Sequence, residues 1–370
     1  MDRATSRRKI RLDMIRLLKH EQELTRQEIA GRLKISMPTA LAAIEELLSR
    51  DVITEVGEQA STGGRRAKVF SLQKEGRYGI GIQITRKHVR FALTNLAGQV
   101  SDFQKITHPF ADRPDWYRTL GARLLDFILA AGIDERKVIG AGLSFPGIID
   151  HDSRMILHSH VFSLRNVSLD RFYKCIAFPL IIENDANCAC FSEQIRDRET
   201  YFYLSLNESV GGAIMSGGRL HKGMRWKAGE AGHVLIRPGG KSCYCGKKGC
   251  ADPYLNTGVL AGPEEDLDTF FSRLEAGDSE SLACWESYLD NLAILVSNLN
   301  MILDMDIVLG GDVGARMEPY IDRLSEITEK YDMFSRDVDY LSCCRCREHI
   351  FTVGAALRAV EHFDERILDV

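Results

Sequence analysis

The sequence predicts an α/β protein in two parts, a winged helix-turn-helix head over residues 1–72 and a larger mixed-sheet body over 78–370. Three observations carry this reading. Two short capped helical patterns follow one another before residue 50; alternating apolar runs begin at Tyr78; the strand pattern restarts at Tyr201. A length of 370 residues exceeds one ordinary core and suggests two or three domains.

In the head, Ile10, Met14, Leu17 and Leu18 recur at helical spacing, with Arg7, Arg8, Lys9 and Arg11 around the start of that helix. Thr25-Arg26-Gln27-Glu28 is a capping box, in which hydroxyl and carboxylate satisfy the free amides of a second helix packed through Ile29 and Leu33. Ser36 caps a third helix, Pro38 fits its first turn, and Leu41, Ile44, Leu47 and Leu48 form its expected buried stripe. Its start offers Ser36, Met37, Thr39, Ala40 and Ala43 to a DNA major groove. Two β-prone stretches, 52–56 and 68–72, enclose GEQASTGGRRA, a wing with Arg65 and Arg66 at its tip. The alternative is a winged helix that docks protein; the basic first helix and the Arg-Arg tip favour DNA.

Charge patterning agrees. Residues 1–72 carry 14 Lys and Arg against 10 Asp and Glu, while the whole chain has a net charge of −4, so a basic head sits on an acidic body. No apolar run approaches a membrane span and the N-terminus is unlike a signal peptide, which predicts a cytoplasmic protein without membrane association. Ten cysteines are then expected to be reduced.

In the body, GIGIQIT, HVRFALTNLAG and QVSDFQKIT read as a meander; a helix through Leu120, Leu124, Leu125, Phe127 and Ile128 follows, then the strands VIGAGLSFPG and PLIIEND. Cys243, Cys245 and Cys250 form a C-x-C-x4-C pattern, with Gly246 and Gly249 letting the backbone fold tightly enough to aim three thiolates at one ion. Three soft ligands need a fourth, and His233 lies ten residues upstream. Cys188, Cys190, Cys343, Cys344 and Cys346 lie outside this pattern and read as core or loop cysteines.

FPGIID (145–150), ENDAN (183–187), GEAGH (229–233) and CYCGKKGC (243–250) occur in this order, and together they resemble the ROK family of repressors, open reading frames and sugar kinases. The STGGRR wing resembles that of its repressor branch, the group of the xylose and N-acetylglucosamine repressors. The resemblance implies a two-lobed actin-like, ribonuclease H-like sugar-kinase fold: a first lobe over 78–185, completed by a C-terminal helix at 352–363, and a second over 186–350 carrying the metal loop. It implies a structural zinc ion held by His233, Cys243, Cys245 and Cys250. It also implies a sugar site of Asn184, Asp185, Glu230, His233 and Asp252, with Asp185 at the position of the kinases' general base. Asp185 also stands where a helix beginning at Ala186 would take its N-cap. Two places depart from the family's pattern: Asp252 replaces a Glu, and Ser159-His160-Val161-Phe162 replaces a segment with an Asn-Leu pair that reaches the sugar.

Glycine-rich turns hold ATP phosphates because only glycine lets backbone amides approach closely. Where the family has D-x-G-G-T-K, this chain has Gln83-Ile84-Thr85-Arg86-Lys87-His88; where it has G-T-G, this chain has Asn207-Glu208-Ser209, which sets a carboxylate beside the phosphates. Gly310-Gly311 is expected to be a packing remnant of an adenosine-side turn. The expectation is a non-enzymatic, sugar-responsive repressor of carbohydrate genes. It would act as a homodimer or tetramer on operator DNA, with a sugar or sugar phosphate in a cleft between the lobes setting the spacing of the two heads. The alternatives are an ATP-dependent sugar kinase with a regulatory head and a protein-docking regulator without a sugar ligand.

Overall fold

The computed structural model describes residues 3–59, 67–193, 199–262, 265–332, 338–346 and 349–366. Arg65 and Arg66 lie outside the described residues. The chain divides into two compact units, one of residues 1–144, 170–182 and 355–370, the other of 145–169 and 183–354. This division differs from the lobes expected from sequence, since 145–169 join the second unit and the head joins the first.

The head consists of α1 (Arg3–Glu21), β1 (Leu24–Thr25), α2 (Arg26–Leu33), α3 (Met37–Ser49), β2 (Ile53–Gln59) and β3 (Ala67–Leu72), its sheet ordered β1-β3-β2. The capping box forms: the Glu28 amide donates to the Thr25 hydroxyl at 3.3 Å and the Thr25 amide donates to the Glu28 carboxylate at 2.7 Å. The Thr39 amide donates to Ser36 at 3.4 Å, which starts α3. Lys34, left-handed at φ 51°, ends α2 and makes the sharp turn between the two helices. The stripe on α3 is Ala40, Ala43, Ile44 and Leu47, whereas Leu41 and Leu48 are only half-buried. Met14, Ile15, Leu18, Ile29 and Phe70 complete this core, which also takes in Leu96, Ile139 and Val360, so the head shares one interior with the rest of its unit.

That unit continues through β4 (Tyr78–Ile84), β5 (His88–Asn95), β6 (Val100–Thr107), α4 (Pro114–Ala130) and β7 (Val138–Phe145). In the second unit β8 (Ile148–Asp150), β9 (Met155–Ser159) and β10 (Leu164–Ser168) make a small antiparallel sheet. The chain then returns through α5 (Asp170–Cys175) and β11 (Leu180–Asn184), and the five-stranded sheet has the order β11-β7-β4-β5-β6, a meander joined to a parallel β4–β7 pair.

The second unit holds α6 (Asp185–Ser192), β12 (Tyr201–Leu206), β13 (Val210–Ser216), β14 (Arg219–His221), α7 (Asp252–Leu255), α8 (Leu267–Glu275), α9 (Ser279–Leu303), β15 (Asp306–Gly310), α10 (Gly311–Gly314), α11 (Ile321–Thr328) and β16 (Leu341–Cys343). Its sheet runs β14-β13-β12-β15-β16, and the 25-residue α9 buries Trp285, Tyr288, Leu292 and Val296 against it. The last helix, α12 (Ile350–Arg366), is continuous through both units. In the second unit Gly354 packs so tightly on α6 that an added Cβ would meet the Cys188 carbonyl oxygen at 1.7 Å. In the first unit Val360 of the same helix lies in the core of the head.

Candidate metal, ligand and DNA sites

The metal loop is built by backbone hydrogen bonds between short segments. The Cys243 amide donates to the Lys247 carbonyl at 2.9 Å, the Gly249 amide to Lys241 at 2.8 Å, and the Ile236 amide to Gly249 at 2.9 Å. Gly246 and Gly249 adopt φ of +89° and +90°, a region costly for other residues, and a Cβ on Gly249 would meet the Arg237 carbonyl oxygen at 1.9 Å. The result is the cluster expected from sequence: one ligand atom from each of His233, Cys243, Cys245 and Cys250 lies within 4.8 Å of the others. The Cys245 and Cys250 sulfurs are 3.6 Å apart, and Cys243 is 3.7 Å from His233 Nδ1. Four N and S donors at Zn–S bonds of ~2.3 Å would stand about this far from one another, so the residues fit a four-coordinate metal. Burial holds the His233 imidazole below its usual range, which favours the neutral, ligating form.

The sugar residues expected from sequence gather in the second unit. Asp185 opens α6, its carboxylate accepting from the Ala186 amide at 2.9 Å, and burial pushes its titration above the ordinary carboxylate range. Burial also raises Glu230, with the nearby Asp185 charge adding to it. Glu230 lies 3.9 Å from His233 Nε2, so the metal loop and the two acids are neighbours. The N-cap of α6 is Asn184 rather than Asp185. Its Oδ1 accepts from the Asn187 amide at 3.2 Å and its Nδ2 donates to the Gly147 carbonyl at 2.9 Å, because the helix begins one residue earlier than the sequence suggests. Asp252 is 4% exposed and accepts from the Val210 amide at 2.8 Å, tying the start of β13 to the metal loop.

Sequence reasoning assigned no role to Glu183, His151, Lys222 and Trp226. The Glu183 carboxylate is buried, accepts from the Asn184 amide at 3.1 Å and from Asn187 at 2.9 Å, and pairs with Lys222 at 2.6 Å. Lys222 also lies 3.0 Å from His151 Nε2. This buried charge braces the turn that presents Asp185. The acid sits inside the ENDAN motif, but Lys222 and His151 lie 39 and 32 residues away along the chain and no local pattern marks them.

At the turn between β15 and α10, where the resemblance implies a nucleotide side, the Asn207 side chain packs against Gly311. Its Oδ1 accepts from the Asp312 amide at 2.8 Å, satisfying a helix-start donor that an anion would otherwise use. A Cβ on Gly311 would meet Asn207 Nδ2 at 2.5 Å, and one on Gly310 would meet the Tyr203 hydroxyl at 2.0 Å, so this glycine pair serves packing. The adjoining cavity is lined by Glu208, Glu265, Asp266, Asp268 and Asp312, with Arg316 the one cation among its described lining residues and paired to Asp268.

In the head, Ser36 and Met37 are exposed and Thr39 is half-buried. Ala40 is fully buried and Ala43 7% exposed, so their side chains face the core and not DNA; the helix is rotated relative to the sequence expectation because alanines take its innermost positions. Arg11 is also internal in role, pairing with Glu46 of α3, whereas Arg7 and Lys9 stay exposed. Cys188, Cys190 and Cys344 are buried, and burial pushes the Cys190 thiol up to about 12, as inert core cysteines require.

The ROK family profile matches residues 79–359. The chain belongs to the ROK family. The xylose repressor of Bacillus subtilis is 24% identical over 266 residues, 70% of this ROK chain and 68% of that protein. The DNA-binding transcriptional dual regulator NagC of Escherichia coli is 27% identical over 250 residues, 64% and 60% of the two chains. A crystal structure of a ROK family transcriptional regulator, a homolog of the E. coli MLC protein, superposes with a TM-score of 0.79 at 19% identity over 98% of both chains. The two-lobed sugar-kinase-like fold with an N-terminal winged helix is therefore that of a ROK protein. Sugar kinases belong to the family as well.

Proposed function

We propose that this ROK protein is a sugar-responsive transcriptional repressor that binds its sugar without phosphorylating it. The reading is carried by the contrast within the second unit: Asp185 and Glu230 are kept at a braced, metal-anchored site, while Asn207 and an acidic cavity occupy the nucleotide side. Both carboxylates offer acceptors to sugar hydroxyls, and Asp185 without a bound ATP is a hydrogen-bond partner rather than a base. Asp252 positions β13 and Asn184 caps α6, so both support the site indirectly. Zinc is the metal that a Cys3His set selects, and it would hold the loop carrying Glu230 and His233.

The head reads DNA with Ser36, Met37 and Thr39 at the start of α3 and with Arg65 and Arg66 at the wing tip. Two heads in a homodimer, or four in a tetramer, would bind a near-palindromic cytoplasmic operator. Sugar shifts operator affinity through its differential affinity for two conformers. The physical path is α12, which touches α6 at Gly354 and enters the head's core at Val360.

The test is selection of bound DNA from random fragments with and without a sugar panel. Operator affinity that stays constant across the panel removes the sugar-sensing half. Sugar-dependent ADP release with ATP and Mg²⁺ overturns the non-enzymatic half.

A further inference from the structure

Cys343 and Cys346 stand in a C-x-x-C spacing at the end of β16, outside the metal loop. Both are half-buried, reduced thiols. Cys344 between them is 3% exposed, and its amide donates to the Leu309 carbonyl at 2.9 Å, which extends the pairing of β16 with β15. The chain then bends at Arg345. Successive amides of an extended strand point to opposite sides, yet the Arg345 and Cys346 amides both donate to the Glu193 carboxylate, at 2.9 Å and 2.8 Å. Two neighbouring amides reach one acceptor only from a curved backbone. Glu193 is 4% exposed and follows α6, so the curve is held from inside the fold.

A disulfide needs Cα atoms within about 7 Å, whereas three residues of extended chain span about 10 Å; a curve of this kind shortens that span. Cys343, Cys344 and Arg345 also line an open cavity of about 640 Å³ with Glu318, Ile321 and Leu341, room enough for a small reagent. We propose that Cys343 and Cys346 are a thiol–disulfide exchange pair whose co-reactant is a low-molecular-weight disulfide of the glutathione type. Cys343 loses its proton to water and its thiolate attacks one sulfur of the reagent; a mixed disulfide forms and one reagent thiolate leaves. The Cys346 thiolate then attacks the Cys343 sulfur, the intramolecular bond forms, and the second reagent thiolate leaves. Two protein thiols are oxidised, one reagent disulfide is reduced, and the two protons end on the departing thiolates. Cys343 takes the first step because it is half-buried at the cavity wall, while Cys344 is buried there.

The full, metal-loaded chain tests this, since bound metal keeps Cys243, Cys245 and Cys250 out of the exchange. The protein is incubated with oxidised glutathione, its remaining thiols are alkylated, and the tryptic peptides are analysed by mass spectrometry. Trypsin cleaves after Arg336, Arg345 and Arg347, which separates Cys343 from Cys346, so only a crosslink keeps peptides 337–345 and 346–347 together. The linked pair is expected as the main form of this segment, to be lost on treatment with dithiothreitol, and to fragment as a bond to Cys343. Cys346→Ser is expected to stop at a glutathione adduct on Cys343, and Cys343→Ser to lose the crosslink. Alkylation of both thiols after oxidation of the wild type, a glutathione adduct that persists there unresolved, or a crosslink to Cys344 overturns the proposal. All three are read on the unsubstituted chain, so a variant that fails to fold leaves the test intact.

Discussion

His233 turns Nδ1 toward the Cys243 sulfur at 3.7 Å and leaves Nε2 on the side of Glu230. One imidazole thereby joins the metal cluster to the acid proposed to bind sugar. Cys245→Ala removes one of four donors and is expected to lower zinc affinity by on the order of a hundredfold. Competition against a chromophoric chelator measures it, and the same variant should lose its sugar response.

Asp185 carries a charge that burial disfavours. Its folded-state titration lies above that of the unfolded chain, so the native state binds more protons between the two, and stability falls as pH rises through that interval. The penalty persists at neutral pH. Asp185→Asn should therefore raise the melting temperature of the sugar-free protein at pH 7 by a few degrees and flatten its pH dependence. It should weaken sugar binding roughly tenfold to a hundredfold through loss of charge-assisted hydrogen bonds. For the wild type, sugar affinity should fall as pH is lowered through the raised titration of Asp185, because the protonated form accepts less well.

The burial of Ala40 separates packing from recognition on α3. Ala40→Leu overfills the head's core and should cost about 1–3 kcal/mol by chemical denaturation. Met37→Ala, at an exposed position, should leave stability within about 0.5 kcal/mol and alter base preference in DNA selection. Arg66→Ala should weaken all sequences alike and reduce the salt slope of binding by about 1.

Gly354 allows α12 to touch α6. Gly354→Ala forces a Cβ onto the Cys188 carbonyl and should destabilise the fold by roughly 3 kcal/mol. If α12 is the path between sugar and operator, the folded fraction should bind both ligands with sugar-insensitive DNA affinity, a fluorescence anisotropy measurement at low temperature.

Several features were written in local sequence. The capping box at Thr25–Glu28, the Ser36 cap, the alternating strands and the C-x-C-x4-C loop depend on neighbours a few residues apart, and each of these patterns forms in the fold. The family motifs placed Asp185, Glu230 and His233 together because they come as an ordered set. What the sequence by itself determined was therefore the class of each part and the chemistry of the metal loop. Only the tertiary structure decided which face of α3 is buried, that Asn184 rather than Asp185 caps α6, that Lys222 and His151 brace Glu183, and that Glu193 curves the chain at Arg345. Each of these depends on partners brought from distant segments, and helical periodicity fixes a stripe only to within the neighbouring side chains that compete for the interior.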